Sequence, residues 1–347
     1  MNTGRLDFGL DRFSGLYLWA TFIIVFGIWK PDLFLTGNTA HSIGSSQAIG
    51  AMLAIAVVVA LSAGAYDLSL GAVINVSAII VTALLNTKGW GIWQSILAAV
   101  GASAAIGAVN GFLVVKAKIS SFIATLGMAT VVAAIQTMVS GGGQPLPPKS
   151  ETWNKLTSTE VFGFQIVVLY LIVLAFVVWW GLEHTPPGRY LYAIGQNSEA
   201  ARLTGIKTGT WTWVSLIASS TIAGIAGVLY ASLSGPSLTF GSSLLLPAFA
   251  AAFLGSTQLK PGTVNVWGAV LAVYVLATGV KGLQFVTSAQ WLNDMFNGLA
   301  LILAVSFAVW RQRRALLKPR RDDEASLAHH SDGPTPQTPV AVPAEQA

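Results

Sequence analysis

Hydrophobic positions in this 347-residue chain form long apolar runs that are separated by short polar stretches. Ten runs are found, at residues 16–28, 43–65, 70–85, 92–115, 119–139, 164–182, 211–233, 244–259, 264–283 and 292–310. An α-helix of about 20 apolar residues spans the hydrocarbon core of a bilayer. The runs are continuous rather than alternating, which excludes a membrane β-barrel. The pattern therefore predicts an all-α polytopic membrane protein with about ten spans.

Two of these segments, 69–85 and 244–259, are short, and the second contains Pro247. A re-entrant or broken helix is an open alternative for each. Between the runs lie two polar stretches, a loop at 141–160 and a longer one at 183–210. The stretch at 183–210 is more polar and more patterned than a simple helix connection requires. It predicts a docking surface for a partner.

Composition agrees with a membrane protein, since 54% of the residues are hydrophobic and only 10% are charged. Soluble domains carry about 25% charged residues. The chain has no cysteine, which excludes disulfides, a Cys-ligated metal and a thiol nucleophile. No metal site is predicted.

Loop charge predicts the orientation. With ten spans and the N-terminus inside, 14 of the 19 Lys and Arg residues lie on the inner side. The five on the outer side are Lys30, Lys88, Lys149, Lys155 and Lys281. Inner loops carry the excess of Lys and Arg, so both termini are predicted to be cytoplasmic. We expect a cytoplasmic N-terminus at 1–14, a transmembrane domain at 15–317 and a disordered cytoplasmic tail at 318–347.

Motifs for catalysis and for ion coupling are absent from the sequence. There is no P-loop, no His-Glu-x-x-His and no Gly-x-Ser-x-Gly, so an enzyme is not predicted and any ATP must be hydrolysed by another subunit. Asp67 and Asp294 lie at the ends of spans and are interpreted as boundary residues, which disfavours a proton-driven transporter. Small residues at Gly107 and Gly111, and again at 223, 227 and 231, predict close helix packing.

Four stretches, taken in order, carry a family resemblance. They are residues 64–71 (GAYDLSLG), 110–114 with 122–128 (NGFLV and FIATLGM), 188–206 (GRYLYAIGQNSEAARLTGI) and 251–257 (AAFLGST). Together they resemble the permeases of bacterial ABC importers for monosaccharides, the ribose/xylose/arabinose-type family. The chain departs from that family at Ser121, where the family has Pro, and at Gln196, where it has Gly.

The resemblance implies that 183–210 is the cytoplasmic coupling loop that contacts the ATPase. Its contact residues are then Gly188, Arg189, Asn197, Glu199, Ala200, Ala201, Arg202 and Gly205. The residue types there support a short helix. Asn197 or Ser198 is a suitable N-cap, Glu199 suits the first turn, and Gly205 can end the helix. Pro186 and Pro187 stop the preceding membrane helix.

Polar residues within the spans are candidates for the transport pathway. The predicted pathway set is Asp67, Ser69, Asn75, Asn110, Thr125 and Asn297. Gln136, Asn265 and Gln284 are further polar residues of the same kind. Each of these amides has the alternative role of hydrogen bonding to a neighbouring helix. As a set they suit an uncharged polar cargo better than an ion.

The family resemblance also implies partners and a location. The partners are an ABC ATPase subunit, a second permease copy (the same chain or a paralogue), a periplasmic or lipid-anchored sugar-binding protein, a monosaccharide substrate and membrane lipid, with no nucleic acid. ATP and Mg would be bound by the ATPase, and this chain would bind no cofactor. It would lie in the bacterial inner membrane and import a monosaccharide or similar polyol by alternating access. The alternatives are a branched-chain amino acid ABC permease and an ATP-independent secondary transporter.

Overall fold

The structure is a computed structural model that describes residues 10–260, 262–287, 289, 291–292, 295–303 and 306. This part of the chain is α-helical apart from one two-stranded hairpin, which confirms the predicted fold class. The predicted N-terminal segment 1–14 lies largely outside the described residues, and the predicted tail 318–347 lies wholly outside them.

The helices and strands follow one another as expected for a chain that crosses a bilayer repeatedly. The first half contains α1 Leu10–Trp29, α2 Pro31–Phe34, α3 Gly37–Ser46, α4 Ala48–Ser62, α5 Leu70–Thr87, α6 Ile92–Val115 and α7 Ser121–Ser140. The second half contains α8 Glu151–Ser158, β1 Glu160–Val161, β2 Phe164–Gln165, α9 Val167–His184, α10 Pro186–Gln196, α11 Ser198–Leu203, α12 Thr208–Ser234, α13 Phe240–Gly255 and α14 Val266–Val286.

Within the described residues, six helices are long and apolar enough to cross a membrane: α5, α6, α7, α9, α12 and α14. The pair α3 and α4, which is bent by 41°, makes a seventh if it counts as one span. Two shorter apolar helices, Gly15–Trp29 and Phe240–Gly255, coincide with the first and eighth predicted spans. The last predicted span, 292–310, extends beyond the described residues. The count of ten therefore stays a prediction.

The break in helical geometry lies in a different place from the two candidates in the sequence. α5 is continuous over 18 residues, and α13 continues through Pro247 over 16 residues. The bend instead falls at Gln47, between α3 and α4. Gln47 is neither a proline nor a glycine, so the residue at the bend gives no signal for it in the sequence.

The centre of the fold is formed by α4, α5, α12 and α13. Helix α4 is apolar on every side and almost completely buried, as expected for a helix surrounded by others. Helix α12 packs against α4, α5 and α6, and α13 packs against α4, α5 and α14. Helices α6, α7 and α9 instead expose large apolar side chains such as Leu97, Ile123 and Phe176. These three helices form a perimeter suited to lipid.

Small residues bring the central helices into backbone contact, as predicted. A Cβ atom on Gly107 of α6 would lie 2.5 Å from the carbonyl oxygen of Leu216 and 2.8 Å from the Cα of Ile217, both in α12. A Cβ on Gly227 would lie 3.0 Å from the Cβ of Ser77 in α5. These contacts confirm the close packing that the small-residue spacing predicted.

The polar loop predicted at 141–160 contains a short helix, α8, that was not predicted. The hydroxyl of Ser150 accepts a hydrogen bond from the N–H of Trp153 (3.4 Å) and so caps this helix. Trp153 is fully buried, and its carbonyl oxygen accepts a 2.7 Å bond from Ser232 Oγ at the end of α12. The segment folds because this tryptophan is buried against the bundle.

In the part of the chain that the structure describes, several contacts join loops that were assigned to the same side of the membrane. On the predicted outer side, hydrogen bonds join three pairs of residues: Asn86 and Leu146, Gln165 and Ser45, and Thr157 and Ser232. The predicted inner loops are joined by Tyr66 to Ser121, and by an ion pair between Lys260 and Glu183. The alternation of sides therefore agrees with the structure, and the choice of which side is cytoplasmic rests on the charge count.

Candidate coupling surface and transport pathway

The stretch at 183–210 folds into two helices, α10 and α11, rather than the single short helix predicted. The prolines end α9, as predicted, and they also begin α10, where a Pro at the first position costs no hydrogen bond. Gly188 permits the sharp turn, since a Cβ there would lie 2.5 Å from the Cα of Leu182 in α9. Arg189, the next residue, is exposed.

One face of α10 is packed on the bundle and places Gly195 against the end of α4. Leu191 and Ile194 are buried on this face. A Cβ on Gly195 would lie 2.5 Å from the carbonyl oxygen of Ser62 and 3.3 Å from the amide nitrogen of Gly64. The two backbones are therefore in direct contact. No side chain lies between the two backbones at this point.

Helix α11 has the ends that the sequence predicted. Asn197 is the N-cap, and its Oδ1 accepts a 3.0 Å hydrogen bond from the N–H of Ala200. At the other end the N–H of Gly205 donates to the carbonyl of Arg202 (3.0 Å), and the N–H of Ile206 donates to that of Ala201 (3.2 Å). This is a Schellman motif, and Gly205 has the positive φ of 86° that it requires.

The outer face of α11 carries an ion pair. Arg202 donates to both carboxylate oxygens of Glu199, at 3.3 Å and 2.5 Å, across one helical turn. The hydrogen bond and the charge of Arg202 lower the pKa of Glu199, so the carboxylate is ionised at neutral pH. Ala201 is buried, while Glu199, Ala200 and Arg202 are exposed. The pair of helices thus presents a short, charged surface whose second helix is capped at both ends.

The loop that follows α4 contains Asp67, whose carboxylate is fully buried. Asp67 Oδ1 accepts hydrogen bonds from the N–H (3.0 Å) and the hydroxyl (2.6 Å) of Ser69. Asp67 Oδ2 accepts a longer bond of 3.4 Å from the hydroxyl of Ser219, in the middle of α12. Asp67 does lie between two spans, as the boundary interpretation expects, but it faces the bundle interior rather than water.

Two further predicted pathway residues hold this loop. Asn110 donates a 2.8 Å hydrogen bond to the hydroxyl of Ser69. Thr125 Oγ1 accepts from the N–H of Leu68 (2.9 Å) and donates to the carbonyl of Tyr66 (3.1 Å). Asp67, Ser69, Asn110 and Thr125 therefore form one cluster, which also includes Ser219 and is called the Asp67 cluster here. Ser219 was missed because an isolated serine in an apolar span has no distinguishing pattern.

Ser121 contributes to the same loop in a way that its family counterpart would not. Its hydroxyl accepts a 3.1 Å hydrogen bond from the N–H of Tyr66. A proline at this position has no such acceptor. The loop of the Asp67 cluster begins at Gly64, which contacts Gly195 of α10. Helix α10 and the Asp67 cluster are therefore neighbours in the structure.

The other predicted pathway amides lie elsewhere. Asn75 donates to Ser242 (3.2 Å) and to the carbonyl of Leu238 (3.0 Å), which also accepts from Gln136 (2.8 Å). Asn265 caps α14 by accepting a 2.7 Å bond from the N–H of Gly268. Asn75 and Asn265 thus bond to a neighbouring helix, which was the alternative for these residues, and Gln136 bonds to the segment before α13. The capping role of Asn265 was not predicted.

Asn297 and Gln284 instead line a cavity of about 320 Å³ at the predicted outer end of the bundle. Its walls come from the bend between α3 and α4, from α13 and from α14. The polar residues that line it are Ser42, Ser46, Gln47, Ser243, Lys281, Gln284 and Asn297. We call it the outer cavity. Here two of the polar pathway candidates, Gln284 and Asn297, border open space.

Comparison with known families decides the class of this helical bundle. The family described as the permease component of branched-chain amino acid transport systems matches residues 41–305. The chain belongs to this permease family. The match covers the central helices, the Asp67 cluster and both helices of the coupling stretch.

Relatives of this permease match over most of their length. The autoinducer 2 import system permease protein LsrC of Enterobacter sp. (strain 638) is 31% identical, with 83% of each chain covered. The ribose import permease protein RbsC of Escherichia coli (strain K12) is 27% identical over 82% of this chain and 89% of its own. The probable ABC transporter permease protein y4mJ of Sinorhizobium fredii is 29% identical over 82% and 84%.

These matches confirm the resemblance to ABC permeases that the four sequence stretches carried. Apolar helices and family membership together show a multi-pass membrane protein of the ABC permease class. The family description names branched-chain amino acid transport, whereas the relatives are named for ribose and for autoinducer 2. The comparisons thus show that the protein is an ABC permease, but they do not identify its cargo.

Proposed function

We propose that this permease is the membrane subunit of an ATP-driven importer in the bacterial inner membrane, and that it carries a monosaccharide or similar polyol into the cytoplasm by alternating access. Two copies, or one copy and a paralogue, would work with a pair of ATPase subunits that bind ATP and Mg. A periplasmic or lipid-anchored binding protein would deliver the cargo. The relatives named for ribose and autoinducer 2 support this class of cargo.

The observation that carries the proposal is the arrangement of α10 and α11. Helix α11 is exposed, is capped at both ends and bears the Glu199–Arg202 pair. Helix α10 behind it contacts the backbone of α4 through Gly195. A partner that pulls on α11 therefore moves α10 and, through Gly64, the loop of the Asp67 cluster. Such a rigid lever suits the conversion of ATPase closure into a change of membrane conformation.

Both termini and the coupling surface lie in the cytoplasm in this proposal. The inner loops hold most of the Lys and Arg residues, among them Arg189, Arg202 and Lys207 beside α10 and α11. A cytoplasmic position is required if these helices dock on an ATPase. The charge count and the coupling role therefore support each other.

A matched pair of charge reversals tests the docking role. Glu199 and Glu151 both lie in the first turn of a short capped helix, and each pairs with a basic residue about one turn later. Only Glu199 lies at the proposed ATPase contact. We expect Glu199→Arg to abolish cargo uptake and stimulation of the ATPase while membrane insertion stays normal. Glu151→Arg should leave both activities unchanged.

The assay uses the tagged permease purified from membranes of its host with the subunits that accompany it. Co-purifying subunits are identified by mass spectrometry, and ATPase activity and uptake are measured in proteoliposomes. Normal coupling in the Glu199→Arg permease would contradict the docking role. The absence of any ATPase subunit from the wild-type preparation would instead favour the secondary-transporter alternative.

A branched-chain amino acid is the second candidate cargo, because the family description names that transport. The two candidates are separated by measuring which compounds bind the co-purified binding protein, with D-ribose and L-leucine as probes. Tight binding of L-leucine and none of D-ribose would replace the sugar proposal by the amino acid alternative. The coupling proposal would stand in either case.

A further inference from the structure

A bent helix pair, α3 and α4, and a continuous helix that contains a proline, α13, face each other across the outer cavity. Helices α3 and α4 meet with a bend of 41° at Gln47, which lines the cavity. Opposite it, α13 contains Pro247, which has no N–H, so the carbonyl of Ser243 lacks the donor that a regular helix provides. Both Ser243 and Pro247 line the cavity. In membrane transporters, broken helices such as the α3–α4 pair offer backbone polar groups to the cargo.

The side chains of the outer cavity offer paired donors and acceptors. The carboxamides of Gln284 and Asn297 make no hydrogen bond to another described residue, and that of Gln47 makes only a 3.4 Å bond to Ser46. A carboxamide both donates and accepts, which matches the hydroxyl groups of a sugar. The volume of about 320 Å³ is at the small end of the range for ligand sites, roughly 300–1,000 Å³.

The described lining of the outer cavity carries positive charge only. Lys281 is the only charged residue among the described lining, and its Nζ lies 5.4 Å from the ring centre of Phe285. The described lining contains no carboxylate to pair with a cationic ligand. The ammonium group of an amino acid would therefore find no carboxylate among the described lining residues, and an unpaired charge that leaves bulk water is costly. A neutral polyol meets no such cost.

We infer that the outer cavity is the cargo entry site of the permease, and that it accepts a neutral polyhydroxylated molecule and rejects an amino acid. The inference rests on the proposed import function and adds to it the place of entry and the groups that select the cargo. The entry site lies within one chain, between the α3–α4 bend and α13. It involves Gln47, Ser243, Gln284 and Asn297.

Cysteine labelling tests the entry site directly, since the natural chain has no cysteine. Ser243→Cys places a thiol in the outer cavity, and Ser219→Cys places a matched one in the buried Asp67 cluster. In the full transporter, a membrane-impermeant thiol reagent added outside should label the first and not the second. D-Ribose should slow the labelling of Ser243→Cys, and L-leucine should not.

Transport measurements provide the second test. Gln47→Leu and Gln284→Leu should each lower the D-ribose imported per ATP hydrolysed at least fivefold. Gln144→Leu, which changes an exposed amide on the same side outside the cavity, should leave this ratio unchanged. The ratio is the informative measurement, because it separates a loss of cargo entry from a loss of ATPase activity.

The outcomes separate this inference from the proposed function. If Ser243→Cys is not labelled, or if it is labelled without protection by D-ribose, the entry site is wrong even when wild-type import of D-ribose is normal. If L-leucine protects and D-ribose does not, the predicted selectivity is wrong. If the wild-type complex imports no sugar while Ser243→Cys is labelled and protected, the import proposal fails and the binding site remains.

Discussion

Substituting Gly195 tests the contact between the coupling helices and the bundle. In Gly195→Ala the new Cβ would lie 2.5 Å from the carbonyl oxygen of Ser62 and 3.1 Å from its carbonyl carbon. These are backbone atoms, so no side chain can rotate away. To reach ordinary van der Waals contact at 3.4 Å, α10 must move away from α4 by about 1 Å.

Overpacking of this kind costs about 1–3 kcal/mol. If this free-energy cost destabilises the position in which α10 contacts α4, the coupling between ATP hydrolysis and transport weakens by roughly 5-fold to 150-fold. We therefore expect Gly195→Ala to retain ATPase activity and to lose at least four-fifths of cargo uptake. The measurement is uptake per ATP hydrolysed in proteoliposomes, together with the thermal stability of the purified complex.

Gly127→Ala in α7 is the matched control, because a Cβ there meets no atom within 4 Å. Replacing a helical glycine by alanine at an open position stabilises a helix by up to about 1 kcal/mol, so this variant should transport normally. Normal uptake per ATP in a stable Gly195→Ala permease would refute the transmission of movement through this contact. Equal loss of stability in both variants would show that the substitution acts on folding alone.

Three further outcomes are expected. Asn197→Ala should weaken the N-cap of α11 by about 1 kcal/mol and reduce ATPase stimulation, while Asn197→Asp, which keeps the accepting oxygen, should not. Asp67→Ala should leave the Ser69 donors unpaired and lower stability by about 2–3 kcal/mol in thermal denaturation, with a smaller loss for Asp67→Asn. With external impermeant reagents, Lys149→Cys should be labelled and Lys207→Cys protected; the reverse pattern would overturn the predicted orientation.

The helices of the bundle were predictable because the bilayer imposes their length and apolarity on the sequence. The ends of α11 were predictable too, since Asn197 and Gly205 act locally through their own backbone and side-chain chemistry. Helix α10 was missed because its amphipathic pattern follows directly on Pro186, which was interpreted only as the end of α9. A proline at a first helical position was the signal that would have revealed it.

The transport pathway was less predictable, because its residues are joined by contacts between distant parts of the chain. Asn110 and Asp67 are brought together through Ser69. Asn75 has the same residue type and the same apolar surroundings in the sequence, yet it bonds to α13 and the segment before it. Only the packing of the helices distinguishes the role of Asn110 from that of Asn75. This packing cannot be read from a single sequence. The use of each residue in transport stays a prediction.

The hydrogen bonds from Asn75 and Gln136 to the carbonyl of Leu238 determine which substitutions these three positions tolerate. The acceptor belongs to the backbone, so many side chains at position 238 preserve both bonds. The donors have no such freedom, because a carboxamide is required at each. Saturation mutagenesis should therefore show broad tolerance at Leu238 and narrow tolerance at Asn75 and Gln136. In each of these two contacts, only the residue that supplies the donor side chain is therefore constrained in its identity.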